Sequence, residues 1–197
     1  MTSGSTPKGE KRRQALVEAA AALLVEGGFD SIRHRAVAER AGLPLASTTY
    51  YFESLDELVT AAVEHHGRGE LDRGKRCLDV MVTERRSPEV LVDLVLELLL
   101  GPPSEDAETD AAAVLLRYER LVATGRRPYL RPLTRTLGGE LRGLLKEIFI
   151  RSGADVDDRR VEQLISLVDG AVVNALIEIN PDPRGSARRM LREALAT

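Results

Sequence analysis

The segment from Ser31 to Phe52 limits the possible folds more than any other part of this 197-residue chain. Apolar residues recur in it at helical spacing up to Ala41, and Gly42 follows directly. Glycine is common just after a helix because it adopts positive φ without a steric penalty. Pro44 then suits the start of a second helix, where its fixed φ and missing amide hydrogen are tolerated. The segment therefore predicts two short helices joined by a tight turn, with Ala38 small enough to let them cross closely.

The composition favours an all-α chain. Tryptophan is absent, aromatic residues make up 4%, and alanine, leucine, glutamate and arginine are abundant. The single cysteine, Cys77, excludes an internal disulfide and fits a reducing compartment. No apolar run is long enough to cross a bilayer, and the polar N-terminus lacks the apolar core of a secretory signal. We therefore expect a cytoplasmic protein without a membrane partner.

Four sequence elements follow one another in a fixed order: Gly27-Gly28-Phe29-Asp30, Ala38-Glu39-Arg40-Ala41-Gly42, Thr48-Thr49-Tyr50-Tyr51-Phe52 and Leu55-Asp56-Glu57-Leu58. Together they resemble the DNA-binding domain of the TetR family of transcriptional regulators. The resemblance covers roughly residues 8–60, and the order of the elements is more specific than any one of them. It implies a three-helix DNA-binding head at residues 1–54 and a larger body at residues 55–197 that binds an effector and dimerises, with about nine helices in all.

The second helix of the motif, from about Pro44 to Phe52, carries the candidate base contacts. Short apolar and hydroxyl side chains suit base edges and thymine methyl groups. Neighbours on a helix diverge by about 100°, so Tyr50 and Tyr51 cannot face the groove equally. We expect Tyr50 to contact phosphate and Tyr51 to be structural. The candidate DNA contacts of this segment are Pro44, Leu45, Ala46, Ser47, Thr48, Thr49, Tyr50 and Tyr51.

Cations flank this helix. Net charge is only −3, and residues 1–54 hold seven Lys and Arg against six Asp and Glu, so position matters more than the sum. Arg35 stands where family members often place an arginine that reaches the groove; the alternative is an ion pair with Glu39, four residues along the helix. Further candidate phosphate or base contacts are Arg33, Lys8, Lys11 and Arg12, although the last three also suit a solvated helix start.

Two positions depart from the family pattern. A lysine commonly opens the helix after the motif and holds a phosphate, but Leu55 stands there. The usual threonine near the start of the first motif helix is replaced by Arg33. One phosphate anchor is therefore missing, and Arg33 is a candidate replacement.

The rest of the chain predicts further helices. Ser54 and Glu57 form a capping box for a helix that extends towards Met81, with a bend or a break expected near Gly67–Gly74. Later helices are predicted over residues 88–100, 104–124 with Ser104 as N-cap, 130–150, 156–179 and 186–196.

The penultimate helix has an apolar stripe that is too wide to be covered by a single neighbouring helix. The resemblance implies that the last two helices pair with their copies in a homodimer, although deep burial within one chain would also produce the stripe. The candidate interface residues are Val161, Leu164, Ile165, Val168, Val172 and Leu176.

The resemblance also implies an apolar pocket within helices four to eight of the body, which would bind an apolar small-molecule effector. The polar residues that stand out among apolar ones there are His65, His66, Arg117, Tyr118 and Asn174. If Asn174 is buried, its amide needs a partner, which would be a ligand, its symmetry mate or a backbone carbonyl. No cofactor or metal is expected, since the adjacent histidines diverge around a helix and no HExxH or cysteine-rich spacing occurs.

These features predict a sequence-specific regulator, most often a repressor in this family, that binds a palindromic operator as a dimer and is released by an effector. Two other functions are compatible with parts of the sequence. An architectural DNA binder would share the head but lack an effector. An all-helical enzyme would use the DxDD spacing at Asp155–Asp158, but acids directly before a helix are favoured there as caps.

Overall fold

The computed structural model describes residues 6–196, and within that range the chain forms nine α-helices and no strand. The helices are α1 (Pro7–Gly27), α2 (His34–Ala41), α3 (Ala46–Tyr51), α4 (Leu55–Val80), α5 (Pro88–Leu100), α6 (Ala107–Gly125), α7 (Arg131–Arg151), α8 (Asp158–Ile177) and α9 (Pro183–Leu195). Short 3₁₀ turns occur at Phe29–Ser31 and Pro128–Leu130. The predicted all-α fold class is confirmed.

The chain divides into two compact units, each with its own apolar core. The first unit contains the residues up to Gly69 and the segment Glu119–Thr134; the second contains Glu70–Tyr118 and the residues from Arg135 onwards. In the second unit, α9 packs against both α5 and α8. The functional boundary predicted after residue 54 stays a prediction, because a compact unit need not coincide with a functional domain.

Helix starts follow the capping side chains. The Ser54 hydroxyl accepts a hydrogen bond from the Glu57 amide at 3.1 Å, as predicted for the start of α4. The prediction that Ser104 caps α6 is wrong. Asp106 does so instead, with its carboxylate accepting from the Thr109 amide at 2.8 Å, and α6 begins only at Ala107.

The sequence predicts a bend or a break near Gly67–Gly74, and no break occurs, since α4 is one continuous helix. Gly74 shows why the glycine is tolerated in its interior. A Cβ at this position would lie 2.7 Å from Leu98 Cδ1 and 3.1 Å from Leu144 Cδ1. The missing side chain lets α4 lie close to α5 and α7, and this packing offsets the helix-propensity penalty of about 1 kcal/mol.

A buried ion pair joins three elements of the second unit. Arg184, at the start of α9, donates to both Asp110 oxygens at 2.8 and 3.0 Å and to the Gly101 carbonyl at 3.1 Å. The Ser104 amide donates to the same carboxylate at 3.1 Å. Burial on its own would raise the pKa of Asp110, but the bonds from Arg184 and Ser104 and the guanidinium charge leave that pKa below its usual value.

We expect Asp110→Asn to lower the free energy of unfolding by about 3 kcal/mol at pH 7, because it leaves the Arg184 charge buried without its counter-ion. The folded pKa of Asp110 is depressed, so this stabilisation is present above the unfolded pKa of about 3.9 and is lost as pH falls through the folded value. The difference from wild type should therefore shrink below about pH 4.

Urea denaturation followed by circular dichroism at several pH values measures this difference. Asp93→Asn is the matched control, because Asp93 pairs with Arg188 on the same helix α9 but at the surface. Equal losses in the two variants at pH 7 would contradict a special role for the buried pair.

Candidate nucleic-acid interface

The turn between α2 and α3 is fixed by backbone hydrogen bonds around Gly42. This glycine is left-handed, with φ 64° and ψ 31°. Its amide donates to the Glu39 carbonyl at 3.2 Å, and the Leu43 amide donates to the Ala38 carbonyl at 3.0 Å. These are the two bonds of a Schellman motif, which ends α2 and sets the direction in which the chain leaves it.

One face of α3 holds the helix to the core of the first unit. Thr48 is fully buried, and its hydroxyl donates to the Leu45 carbonyl at 2.8 Å. Phe52 follows in the core, with the Arg13 guanidinium 4.9 Å from the centre of its ring. The prediction that Thr48 contacts DNA is therefore wrong, because neither its side chain nor its backbone reaches the surface.

The opposite face of α3 is open to solvent. Tyr50 is 80% exposed and Leu45 is 52% exposed, whereas Tyr51 is half-buried against the core and lies edge-on to Tyr50 at 4.8 Å between ring centres. This fits the expected division between an outward Tyr50 and a structural Tyr51. The other candidates on this surface are Pro44, Ala46 and Thr49, which are exposed, and Ser47, which is half-buried. Their contacts with DNA remain predictions.

Arg35 projects from the first turn of α2 and forms the ion pair with Glu39 that was the alternative to a DNA contact. Its Nε lies 2.8 Å from Glu39 Oε1, and the side chain is 84% exposed. An ion pair this exposed is weak, so Arg35 can exchange Glu39 for a phosphate or a base edge. Lys8, Lys11 and Arg12 are exposed on the first turns of α1.

Arg33 lies close to the position of the missing phosphate anchor. Leu55 is half-buried against the core of the first unit, so its side chain serves packing there. Arg33 is exposed, donates from Nε to the Asp30 carbonyl at 3.2 Å, and lines the same surface crevice as Leu55. The crevice therefore has a guanidinium beside the residue that replaces the family's lysine.

The five residues suggested for an effector do not form one group. His65 and His66 belong to the first unit, and the other three to the second. There, Arg117 forms an ion pair with Glu70, and the buried Tyr118 donates its hydroxyl to Asp169 at 2.7 Å. Asn174 lies on the exposed face of α8, so the condition of a buried amide is not met within one chain.

The candidate dimer residues need a similar correction. Val161, Leu164, Val168 and Val172 are at most 2% exposed and lie in the core of the second unit. The prediction that they form a dimer interface is therefore wrong, because the single chain already covers them. Ile165 and Leu176 are half-buried. The face of α8 that is open to solvent consists of Gln163, Ser166, Gly170, Val173, Asn174 and Ile177.

The DxDD acids serve the start of α8. Asp157 accepts a hydrogen bond from the Arg160 amide at 2.7 Å, and Asp158 lies 2.6 Å from the Lys146 ammonium. Over residues 6–196, no cluster of three or more His, Cys, Asp or Glu is arranged to hold a metal ion. In the same range, no helix is both long and apolar enough to cross a membrane.

Comparison with known families decides the assignment. The family model described as tetracyclin repressor-like, C-terminal domain, matches residues 86–197, and the model of bacterial regulatory proteins of the tetR family matches residues 16–62. The chain belongs to the TetR family of transcriptional regulators. The resemblance found in the sequence is thereby confirmed, as is the prediction of a DNA-binding regulator.

Two relatives illustrate the range of this TetR-family chain. The HTH-type transcriptional regulator PksA of Bacillus subtilis (strain 168) is 26% identical over 175 residues, which are 86% of this chain and 80% of the relative. The HTH-type transcriptional repressor KstR of Rhodococcus jostii (strain RHA1) is 27% identical over 127 residues, which are 58% of this chain and 59% of the relative.

Solved structures agree with the family. Multidrug binding protein EbrR complexed with ethidium is 31% identical with a TM-score of 0.64, and the match covers 93% of this chain and 97% of that one. EbrR complexed with proflavin is 28% identical with a TM-score of 0.67, covering 92% and 98%.

Two features of the second unit were missed in the sequence. The first is a cavity whose lining includes Glu97 and Gly74. Glu97 could have indicated it, because it is an acid within the apolar run of α5, four residues after Asp93. The open face of α8 could not be predicted because Val173 and Ile177 belong to the same wide apolar stripe as the core residues. Only the opposite face of the helix packs in the core.

We expect Arg35→Ala and Tyr50→Phe to weaken DNA binding in different ways. Loss of the Tyr50 hydroxyl should lower affinity for all sequences alike, because a phosphate contact carries no base information. Loss of Arg35 should also relax base preference, by about 1–3 kcal/mol if it forms a bidentate pair with guanine.

Fluorescence anisotropy on an operator and on base-substituted variants measures both effects. Thr48→Ser is a useful control, since the buried hydroxyl is retained. Parallel losses on every sequence for Arg35→Ala and Tyr50→Phe would refute this division of roles.

Proposed function

We propose that this TetR-family chain is a ligand-responsive repressor that binds a palindromic operator as a homodimer. The observation that carries the proposal is the orientation of α3, which buries Thr48 and turns Leu45, Thr49 and Tyr50 to solvent. A helix of this kind presents methyl and hydroxyl groups of the size that major-groove readout requires. Such a regulator acts where its DNA lies, in the cytoplasm.

The cations of the first unit support the DNA-binding part. Arg33 and Arg35 lie at the start of α2, and three further exposed cations, Lys8, Lys11 and Arg12, lie on the first turns of α1. Each phosphate they neutralise would release counterions, so affinity should fall steeply with salt. The predicted head at residues 1–54 is the part that we assign to the operator.

The open face of α8 supports the homodimer. Val173 and Ile177 are 37% and 73% exposed, and Gly170 and Ser166 are small enough to let a second helix approach closely. Just beyond α8, Ile179 is 89% exposed with φ 54°, a conformation that is strained for a β-branched residue. We infer that α8 and α9 pair with their copies, and that Asn174 meets its symmetry mate there.

The relatives support the response to a ligand. EbrR has been solved with ethidium and with proflavin, and KstR is a repressor. In this chain, α4 begins three residues after Phe52 and contributes residues to both compact units. An effector would release the operator only if it bound one arrangement of the heads better, by typically about 1–3 kcal/mol.

Selecting genomic fragments that the full-length chain retains, then screening small molecules for release, tests this function. A repressor of this kind should enrich palindromic sites with half-sites spaced to match two heads. An architectural DNA binder would instead keep its affinity whatever compound is added. Light scattering that found only monomers on the operator would eliminate the dimer.

We expect Ile177→Lys to weaken the dimer about thirtyfold or more, because it replaces the most exposed apolar side chain of the open face of α8 by a charge. Operator affinity should fall with it, since each head then binds alone. Sedimentation velocity over a dilution series gives the dissociation constant. Ile150→Lys is the matched control, because Ile150 is 46% exposed on α7 and away from this face; an equal effect there would contradict the assigned surface.

A further inference from the structure

A cavity of about 130 Å³ lies within the second unit, where α4, α5 and α7 meet. Its apolar lining includes Leu94, Leu98 and the buried Ile148, with Cys77 beside them. The close approach of the helices at Gly74 limits its size. An engineered protein cavity of roughly 150 Å³ binds benzene, so this one suits a ligand with a single ring or a short branched chain.

Of the charged side chains that line the cavity, two have an ion-pair partner among the described residues and one does not. Glu70 forms an ion pair with Arg117 and lies 3.9 Å from Arg73, so both lining groups have partners. Glu97, on the solvent side, forms no ion pair or side-chain hydrogen bond with the residues that the structure describes. Glu97 is therefore the one charged group of the described lining without a counter-charge, at a cavity whose other described lining residues are apolar apart from the paired Glu70 and Arg73.

We propose that this cavity is the effector site and that it takes a compact organic cation, a protonated amine on a small apolar body. This inference rests on the proposed ligand-responsive function and names its site and ligand class. The ammonium would donate to Glu97 while the apolar body displaces water against the leucines. Among the lining residues none is aromatic, so the recognition is by a charge-assisted hydrogen bond and not by an aromatic cage.

The proposal also explains how the ligand would act on the operator. Gly74 and Cys77 lie on α4, the same continuous helix whose first turns pack in the core of the DNA-binding unit through Leu58 and Val59. A ligand seated against the far end of α4 therefore contacts the element that carries the head.

Three probes of one size separate charge from shape. They are benzylammonium, neutral benzyl alcohol and anionic benzoate, each titrated into the full-length chain at pH 7 by calorimetry. We expect benzylammonium to bind about tenfold or more tightly than benzyl alcohol, as a charge-assisted hydrogen bond should give, and benzoate to bind least. Preferred binding of benzoate would overturn the proposal and point to Arg73 instead.

The thiol of Cys77 can report whether a ligand occupies the cavity. Cys77 is its only cysteine and lines the cavity, so bound benzylammonium should slow alkylation of the thiol by iodoacetamide. The slowing should follow the same concentration dependence as the calorimetric binding. Binding without any protection of Cys77 would place the ligand elsewhere and refute the site.

Glu97→Gln keeps the shape of the side chain and removes its charge. We expect it to lower the affinity for benzylammonium about tenfold and to leave that for benzyl alcohol unchanged. Glu108→Gln is the control, since Glu108 is exposed on α6 and does not line the cavity. Unaltered benzylammonium binding by the Glu97 variant would contradict the role of its carboxylate.

Operator release separates this inference from the proposed function. Benzylammonium should release the operator from wild type and much less from Glu97→Gln. If other compounds release the operator while all cations fail to bind, the site and ligand class are wrong but the repressor function stands. If the chain retains no genomic fragment, the function itself is wrong, whatever the cavity binds.

Discussion

The left-handed turn at Gly42 is the constraint on which the DNA-binding unit depends. Its two backbone bonds end α2 and fix the direction of α3, so that Thr48 falls into the core and Tyr50 into solvent. A residue with a Cβ would be strained at this φ, and any other path of the chain would rotate α3 about its axis. Because α3 has only six residues and little stability of its own, its outward face exists only through this turn and the buried threonine.

Much of the first unit could be predicted from the sequence because its signals are local. Glycine after a helix, proline before the next and a capping serine act over three or four residues, and the structure has each of them. Thr48 escaped prediction for a physical reason. Threonine suits a base contact and a buried helix turn equally well, and its hydroxyl can satisfy itself on the Leu45 carbonyl without a distant partner.

The second unit was predicted less well because its signals are not local. A wide apolar stripe on α8 says that several neighbours cover the helix, but not which of them are in the same chain. The structure resolves this: α9 and the rest of the core cover Val168 and Val172, and the narrower row of Val173 and Ile177 is left open. The break that the glycines of α4 suggested is absent for a similar reason, since the packing around Gly74 outweighs its low helix propensity and no local pattern reports that packing.

Gly74 and Glu97 are two residues whose structural roles local sequence patterns did not predict, and both line the same cavity. The missing side chain at Gly74 lets α4 lie close to α5. Glu97 on α5 lines the cavity beside this contact, and its carboxylate is unpaired in the described part of the chain. A well-packed core would fill such a space with a larger side chain, so an open cavity with an exposed acid at its edge suits the reversible occupant proposed above. With that occupant, the packing of α4 at the cavity would have two arrangements, and because the same helix packs in the core of the DNA-binding unit through Leu58 and Val59, it would be the two-state element that allosteric coupling requires.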